Sequence, residues 1–322
     1  MNWKNEGHQM KFNPYLTNGP LVSEIGLGAW QLGESNAWGS MTENEAILLV
    51  QRSLELGVNF FDTAPNYGLG TSEVRLGKAL QSVDREKIVI NTKFGHCATG
   101  ETDFASGSIR ESLEGSLRRL DTDYVDSLIL HNPPREYLDG NKTDHYAVFE
   151  QLVEEGKIKA YGASLDSYDE MKLLMETTGS KVIEAFFNIL FQDTSRAFEM
   201  ARKNEVGIIV KIPLDSGWLS GKYSAATEFD DIRSRWSETD KKTRARLVKQ
   251  VSEIIPDPDQ LAQTALAFCS SFDAVSTVIP GNKNIAQLES NVESTLHPIS
   301  PETVDKLRSF YREQVEHLRL PW

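Results

Sequence analysis

The sequence predicts a closed barrel of eight parallel strands, each followed by a helix. Three observations carry that prediction. Short β-branched and aromatic runs recur along the chain. Amphipathic stretches with helix start and stop signals separate them. Polar residues capable of chemistry stand at the ends of several runs, where barrels of this kind place their sites. Strands that alternate with helices imply parallel β-α units, and eight of them close into a barrel of about 250 residues. The chain has 322 residues, 39% of them hydrophobic, which leaves room for extensions around one large core. It reads as a single barrel domain over residues 1–322. An open doubly wound sheet is the alternative. Its mark is G-x-G-x-x-G at the first strand-helix turn. In "GLGAWQLG" (26–33) the glycine spacing is wrong and a tryptophan stands where a phosphate would pass.

Residues 10–23 contain "LTNGPLV", and Asn18-Gly19 predicts a hairpin turn that plugs the barrel floor. "EIGLGAW" (24–30) supplies the first barrel strand. A helix follows over 42–57, opening on Thr42 and ending on Gly57. The second, third and fourth strands are "VNFFDTA" (58–64), "KIVINTKFG" (87–95) and "YVDSLILHNP" (124–133), with a helix over 108–120 between the last two. "DTDYVD" (121–126) lacks the glycine and distal glutamate of a calcium loop and reads as a helix-strand turn. The fifth to seventh strands are "IKAYGAS" (158–164), "VIEAFFNIL" (182–190) and "VGIIVKIPL" (206–214). A long charged loop and helix, 217–250, comes after the seventh and is a candidate lid. "AVSTVIPG" (274–281) is the eighth strand, and 282–292 the helix behind it. Residues 306–322 form an amphipathic helix and tail that covers the pocket, meets a neighbour or packs on the barrel.

A formal net charge of -13 repels phosphate backbones, which argues against nucleic-acid partners. Cys97 and Cys269 form no Cys-x-x-Cys, which points to a reducing compartment. "MNWKNEGHQM" has no apolar core and is not a secretory signal. No apolar run approaches the ~20 residues of a membrane span. These features predict a cytoplasmic protein. The six histidines show no zinc spacing, so no metal is expected.

Four polar residues stand at strand ends: Asp62 after the second, Tyr67 in the loop behind it, Lys93 ending the third and His131 ending the fourth. Singly, each has a structural explanation as a cap, a loop aromatic, an outward lysine or a satisfied interior histidine. Together they form a chemical unit. Lys93 beside Tyr67 would favour the phenolate and lower the tyrosine pKa from about 10. Asp62 would pair with Lys93 and compensate its charge. His131 would donate to a substrate oxygen, which completes a proton donor, a charge partner and an orienting group.

This pattern resembles the aldo-keto reductase superfamily. "FDTAPNYG" with "SEVRLGKAL" is similar to its first signature, "SLRRLDTDYVDSLILHNP" to its second and "IPGNKNIAQLESN" to its cofactor motif. "LTNGPLVSEIGLGAWQLG" is similar to its hairpin and first strand. The resemblance covers roughly residues 10–310. It implies a (β/α)8 barrel, a nicotinamide cofactor, usually NADP, and hydride transfer to or from an aldehyde or ketone. It implies that Tyr67 is the general acid, supported by Lys93, Asp62 and His131, and that Trp30 lines the substrate pocket. Phe94, together with Trp30 and with Trp218 or Trp236, suggests an aromatic-walled pocket. "PLDSGWLSGK" (213–222) matches the family's pyrophosphate loop, through Pro213, Leu214, Ser216 and Gly217, with Lys222 as a further phosphate contact. Gly281, Asn282, Lys283, Gln287 and Asn291 fall in the cofactor motif, with Lys283 where a cation holds the 2′-phosphate. That is one clear cation, so NADPH is preferred and NAD is possible.

Three positions depart from the family. Ser164 is kept where it contacts the nicotinamide amide, but Leu165 replaces the following asparagine. Glu184 replaces a glutamine on the sixth strand, and Lys211 replaces a stacking aromatic on the seventh. Glu184 and Lys211 are expected at one level on adjacent strands, paired beneath the nicotinamide. Two function classes follow: a carbonyl reductase or reverse dehydrogenase, and a nucleotide-binding regulatory or interaction subunit on the same barrel. The four strand-end residues favour catalysis. Substrate identity and oligomeric state stay open, because loops 96–107, 132–145 and 217–245 set specificity.

Overall fold

The computed structural model describes residues 10–33 and 40–321; the expectation for the N-terminal segment falls almost entirely outside them. The chain opens with an antiparallel hairpin, β1 (Phe12–Pro14) and β2 (Leu21–Ser23), with Phe12 opposite Ser23. Asn18 takes the left-handed conformation at its turn, φ +58°. The hairpin closes the barrel floor. Tyr15 is buried edge-on against Phe60, with ring centroids 5.2 Å apart, and its hydroxyl lies 2.6 Å from Ser127 Oγ. Val22, Val89, Ile129, Val182, Ile209 and Ile279 pack around it as an interior apolar layer.

Eight parallel strands form the barrel: β3 (Leu27–Gly28), β4 (Phe60–Asp62), β5 (Val89–Phe94), β6 (Val125–His131), β7 (Ile158–Leu165), β8 (Val182–Phe186), β9 (Gly207–Lys211) and β10 (Val275–Val278). Each bonds to its neighbour in chain order. Bridges between Ile25 and Val278 and between Gly28 and Gly281 join the last strand to the first, and Gly26 N donates to Val278 O at 2.8 Å. The eight strands match the eight runs read from the sequence. Gly162 on β7 is forced by close approach, since a Cβ there would sit 1.6 Å from Val182 O.

The helices lie outside: α1 (Glu43–Glu55), α2 (Thr71–Leu80), α3 (Ile109–Leu120), α4 (His145–Glu154), α5 (Tyr168–Thr177), α6 (Phe198–Lys203), α7 (Glu238–Ile254), α8 (Leu261–Ser270), α9 (Ile285–Glu293) and α10 (Pro301–Phe310). Thr42 and Glu45 form a capping box at the start of α1, and Gly57 follows its end at φ +90°. The turn after α3 is structural, as expected. Asp121 ends the helix in the left-handed region, and buried Asp126 accepts from Arg85 Nη2 and pairs with Lys159, both at 2.8 Å.

The long loop after β9 folds back on itself. Trp218, Tyr223, Phe229 and Trp236 pack mostly edge-to-face there, and Trp218 and Trp236 are buried. Neither tryptophan walls the pocket, which corrects that expectation. Asp215 and Arg244, both fully buried, pair at 3.0 Å, and Arg244 also donates to the Pro321 carbonyl. The C-terminal stretch therefore packs on the barrel. No helix among the described residues is long and apolar enough to cross a membrane.

Candidate active site

Side chains alternate inward and outward along a strand. That parity decides which residues meet inside the barrel. Asp62, Lys93, His131, Ser164, Glu184 and Lys211 all point inward near the C-terminal ends of their strands, above the apolar floor. The parity that places Lys93 inside places Phe94 outside. Phe94 packs under the helices, edge-on to Phe104, and does not line the pocket. The expectation of a substrate wall at Phe94 is therefore corrected. Leu165 likewise lies in the outer core.

Lys93 is fully buried, and its Nζ donates to Asp62 Oδ1 and Oδ2 at 2.6 and 2.7 Å and to Thr63 O at 3.1 Å. Asn91 Nδ2 also donates to Asp62 Oδ1, at 2.7 Å. Burial alone would depress the Lys93 pKa, but the Asp62 and Glu184 carboxylates outweigh it and hold the ammonium above its ordinary value. Tyr67 stacks on Trp30 at 5.7 Å and meets the His131 ring edge-on at 5.8 Å. Lys93 Nζ lies 5.0 Å from the centre of the Tyr67 ring. Lys93 pulls the tyrosine toward the phenolate, as expected, but burial is the larger effect and leaves its pKa above the ordinary value. The expected lowering is thereby corrected: at neutral pH Tyr67 holds its proton. His131 is driven the other way, well below the usual imidazole range, by burial and then by the charge of Lys93. Its Nδ1 is buried with no hydrogen-bond partner.

Glu184 and Lys211 do not pair with each other as expected. Glu184 lies opposite Ile209 on β9, while Lys211 lies opposite Phe186, an offset of two residues. Glu184 Oε2 instead reaches Lys93 Nζ at 3.2 Å. Lys211 Nζ pairs with Asp166 Oδ1 and donates to Asn132 Oδ1 and Ser164 Oγ, each at 2.8 Å. Ser164 Oγ also lies 3.1 Å from Glu184 Oε1, so it links the two charges.

These groups open into a cavity of about 970 Å³. Trp30, Asp62, Tyr67, His131, Glu184 and Lys211 line its deep end. Pro213, Leu214, Ser216, Gly217 and Lys222 line one flank, and Gly281, Lys283, Gln287 and Asn291 the other. Lys93 and Ser164 stand behind the wall. Asn282 also stands behind it, accepting from Asn291 Nδ2 at 2.8 Å. Ser216 and Gly217 are both left-handed, φ +54° and +95°, and Ser216 Oγ is buried without a partner. Gln287 Oε1 accepts from Lys283 N at 2.9 Å.

Sequence reasoning missed Gln31, Asn66, His96, Asn132 and Arg233, which also line the cavity. His96 packs its ring 4.9 Å from His131. Buried acceptors Gln31 Oε1 and Asn66 Oδ1 have no partner. In sequence, each of these resembles an ordinary loop polar residue. Only "GH" directly after β5 and "HN" at the end of β6 offered a signal, because both sit at strand ends.

The model of the Aldo/keto reductase family matches residues 24–312. The NADH-specific methylglyoxal reductase of Escherichia coli is 32% identical over 231 residues, covering 66% of this chain and 70% of the relative. The L-galactose dehydrogenase of Arabidopsis thaliana is 26% identical over 281 residues, covering 85% and 84%. Among solved structures, the holo form of aldo-keto reductase AKR11C1 from Bacillus halodurans superposes with a TM-score of 0.78 at 28% identity, covering 94% of this chain and 96% of the other. The inward polar cluster, the closed barrel and the match across nearly the whole chain lead to one assignment: this chain belongs to the aldo/keto reductase family.

Proposed function

We propose that the protein is an NADP(H)-dependent oxidoreductase that reduces an aldehyde or ketone to an alcohol, or runs the reverse, with Tyr67 as the general acid. The observation that carries this reading is the buried Lys93–Asp62 pair behind a protonated Tyr67 at the deep end of a large cavity. A protein that only binds nucleotide has no use for a buried ion pair behind a protonated phenol. That weighs against the regulatory-subunit reading.

When bound, the nicotinamide cofactor supplies the hydride. The far half of the cavity suits it. The left-handed turn at Ser216 and Gly217, with its unpartnered hydroxyl, offers a diphosphate cradle together with Pro213, Leu214 and Lys222. Gly281, Asn282, Lys283, Gln287 and Asn291 form the adenosine side, and Lys283 takes the 2′-phosphate. Burial and then the charge of Arg233 depress the Lys283 pKa, while Asp231, itself paired with Arg233, and Asp230 act the other way. Glu184 and Lys211 form the floor for the nicotinamide, with Ser164 bonded to both from behind.

Tyr67 gives its phenolic proton to the substrate oxygen, and Lys93 stabilises the phenolate left behind. Asp62 fixes Lys93. His131, held neutral, orients the substrate oxygen by a hydrogen bond from whichever ring nitrogen carries the proton. Trp30 provides a flat apolar wall. Asn66 Oδ1, one residue from Tyr67 in the chain and buried without a partner, favours a small carbonyl compound that carries a hydroxyl group to donate to it. The names of the two relatives, a methylglyoxal reductase and an L-galactose dehydrogenase, agree with a small oxygenated substrate. The protein acts as one barrel domain in the cytoplasm, with Cys97 and Cys269 unpaired, and takes neither nucleic acid nor membrane as partner.

Fluorescence titration with NADPH and NADH tests the cofactor assignment. Wild type should bind NADPH more tightly, and Lys283→Ala should weaken NADPH by roughly tenfold while leaving NADH nearly unchanged. Equal losses for both nucleotides would remove Lys283 from the 2′-phosphate site.

A further inference from the structure

Lys93 does not have one carboxylate but two. Asp62 Oδ1 lies 2.6 Å from its Nζ and Glu184 Oε2 lies 3.2 Å from it, and the exposures of Lys93, Asp62 and Glu184 are only 0%, 2% and 3%. Fully ionised, this cluster would hold one uncompensated negative charge on side chains almost wholly withdrawn from solvent at the deep end of the cavity. A buried charge of that kind is removed by taking up a proton. Every other titratable or charged group facing Glu184 fails to cancel it. His131 is held neutral, by burial and then by Lys93. Tyr67 beside it and Tyr15 below it both keep their protons, since burial raises both phenols. Lys211 reaches Glu184 only through Ser164 and is already committed to Asp166 at 2.8 Å.

We propose that Asp62 and Glu184 share one proton across Lys93, and that Ser164, Lys211 and Asp166 connect this proton to solvent. The geometry of Ser164 suits the role. Its single hydroxyl hydrogen has two acceptors, Asn132 Oδ1 at 2.9 Å and Glu184 Oε1 at 3.1 Å, and its oxygen accepts from Lys211 Nζ at 2.8 Å. With Glu184 ionised, the hydroxyl turns to the carboxylate. With Glu184 protonated, the carboxyl donates to Ser164 Oγ and the hydroxyl turns to Asn132. Asp166, its side chain 43% exposed, ends the chain of contacts at solvent. Burial and then the charge of Glu184 raise Asp62 to about 7, which agrees with a stored proton near neutrality.

The inference rests on the reductase reading for its purpose. As the Tyr67 O–H bond breaks and the alcohol O–H bond forms, Tyr67 is left a phenolate. A proton passes from Lys93 Nζ to the Tyr67 oxygen, and Lys93 takes the shared proton from the carboxyl pair. Ser164 passes its hydrogen to the pair, accepts one from Lys211, and Lys211 regains one at Asp166 from water. One solvent proton is consumed for each carbonyl reduced. With the proton stored, a Tyr67 phenolate brings the cluster to a single negative charge; without it, to two. Glu184 is thus a positioning residue that acts through Lys93.

Infrared spectroscopy of the unliganded protein tests the shared proton without requiring turnover. Wild type should show a protonated-carboxyl band that titrates away as pH rises through about 7. Glu184→Gln should lose the band, because Asp62 then pairs alone with Lys93. Ser164→Ala should keep the band and exchange its proton for deuterium more slowly. In the reductive direction, wild-type kcat should fall through the same titration to a lower plateau, while Glu184→Gln stays flat. Absence of the band in wild type, or its survival in Glu184→Gln, overturns the shared proton; exchange in Ser164→Ala as fast as in wild type overturns the route. If Glu184→Gln fails to fold, the wild-type titration and Ser164→Ala still decide. A protein that binds no nucleotide but shows the band would keep the shared proton and lose the reductase reading.

Discussion

Replacing Lys93 with methionine is expected to lower the unfolding free energy by about 3–5 kcal/mol, the usual cost of removing one partner from a buried ion pair. Methionine keeps much of the side-chain volume, so a cavity contributes little. What remains is electrostatic. Asp62 loses its bidentate partner at 2.6 and 2.7 Å, and Glu184 loses its contact at 3.2 Å. The two carboxylates then face each other in a buried site and must both be protonated or leave their places. Denaturant unfolding of the purified variant reads the loss. Adding Asp62→Asn to Lys93→Met should recover part of it, because one buried charge is gone. Single and double variants of equal stability would contradict the charge argument and leave only packing.

Tyr67→Phe is expected to reduce carbonyl turnover by about 10²–10⁴-fold, the range for loss of a general acid. The substitution removes one hydroxyl and keeps the ring that stacks on Trp30 at 5.7 Å. Nucleotide affinity should therefore stay at the wild-type level, since the phosphate-facing half of the cavity is untouched. The split between turnover and nucleotide binding distinguishes a lost acid from a damaged pocket. Steady-state kinetics and nucleotide titration on the same preparation measure both. Undiminished turnover in Tyr67→Phe would move the acid to another group in the cavity, such as His131, whose ring meets Tyr67 at 5.8 Å.

The barrel was legible because most strands are short β-branched or aromatic runs bounded by turn chemistry, and several helices carry a stop or a cap. Thr42, Gly57 and Asn18 all act as their residue types require. Asp62, Lys93 and His131 were legible for another reason: a polar residue that ends an apolar strand of a barrel points at the same opening as its counterparts. The misses share a physical origin too. Register between adjacent strands is set by the slant of the barrel and not by either strand alone. The two-residue offset between Glu184 and Lys211 amounts to roughly 7 Å of rise. Phe94 directly follows the inward-facing Lys93, and adjacent strand residues face opposite ways. The sign of the Tyr67 shift depends on how much water the fold removes, and the linear sequence carries no measure of that. Trp218 and Trp236 lie in a loop that folds onto itself, so their burial follows from Phe229 and Tyr223 rather than from any strand. His96 and Asn132 enter the cavity just beyond strand ends, where a polar residue looks like an ordinary loop or cap.

The most direct measurement follows the hydride. Wild-type protein would be incubated with NADPH carrying deuterium at the transferable C4 position and with small hydroxylated carbonyls such as glyceraldehyde. Direct hydride transfer puts the deuterium on the carbinol carbon of the product alcohol, with none exchanged into water. Tight NADPH binding with no labelled alcohol from any carbonyl would contradict it, and would leave a nucleotide-binding subunit on the same barrel.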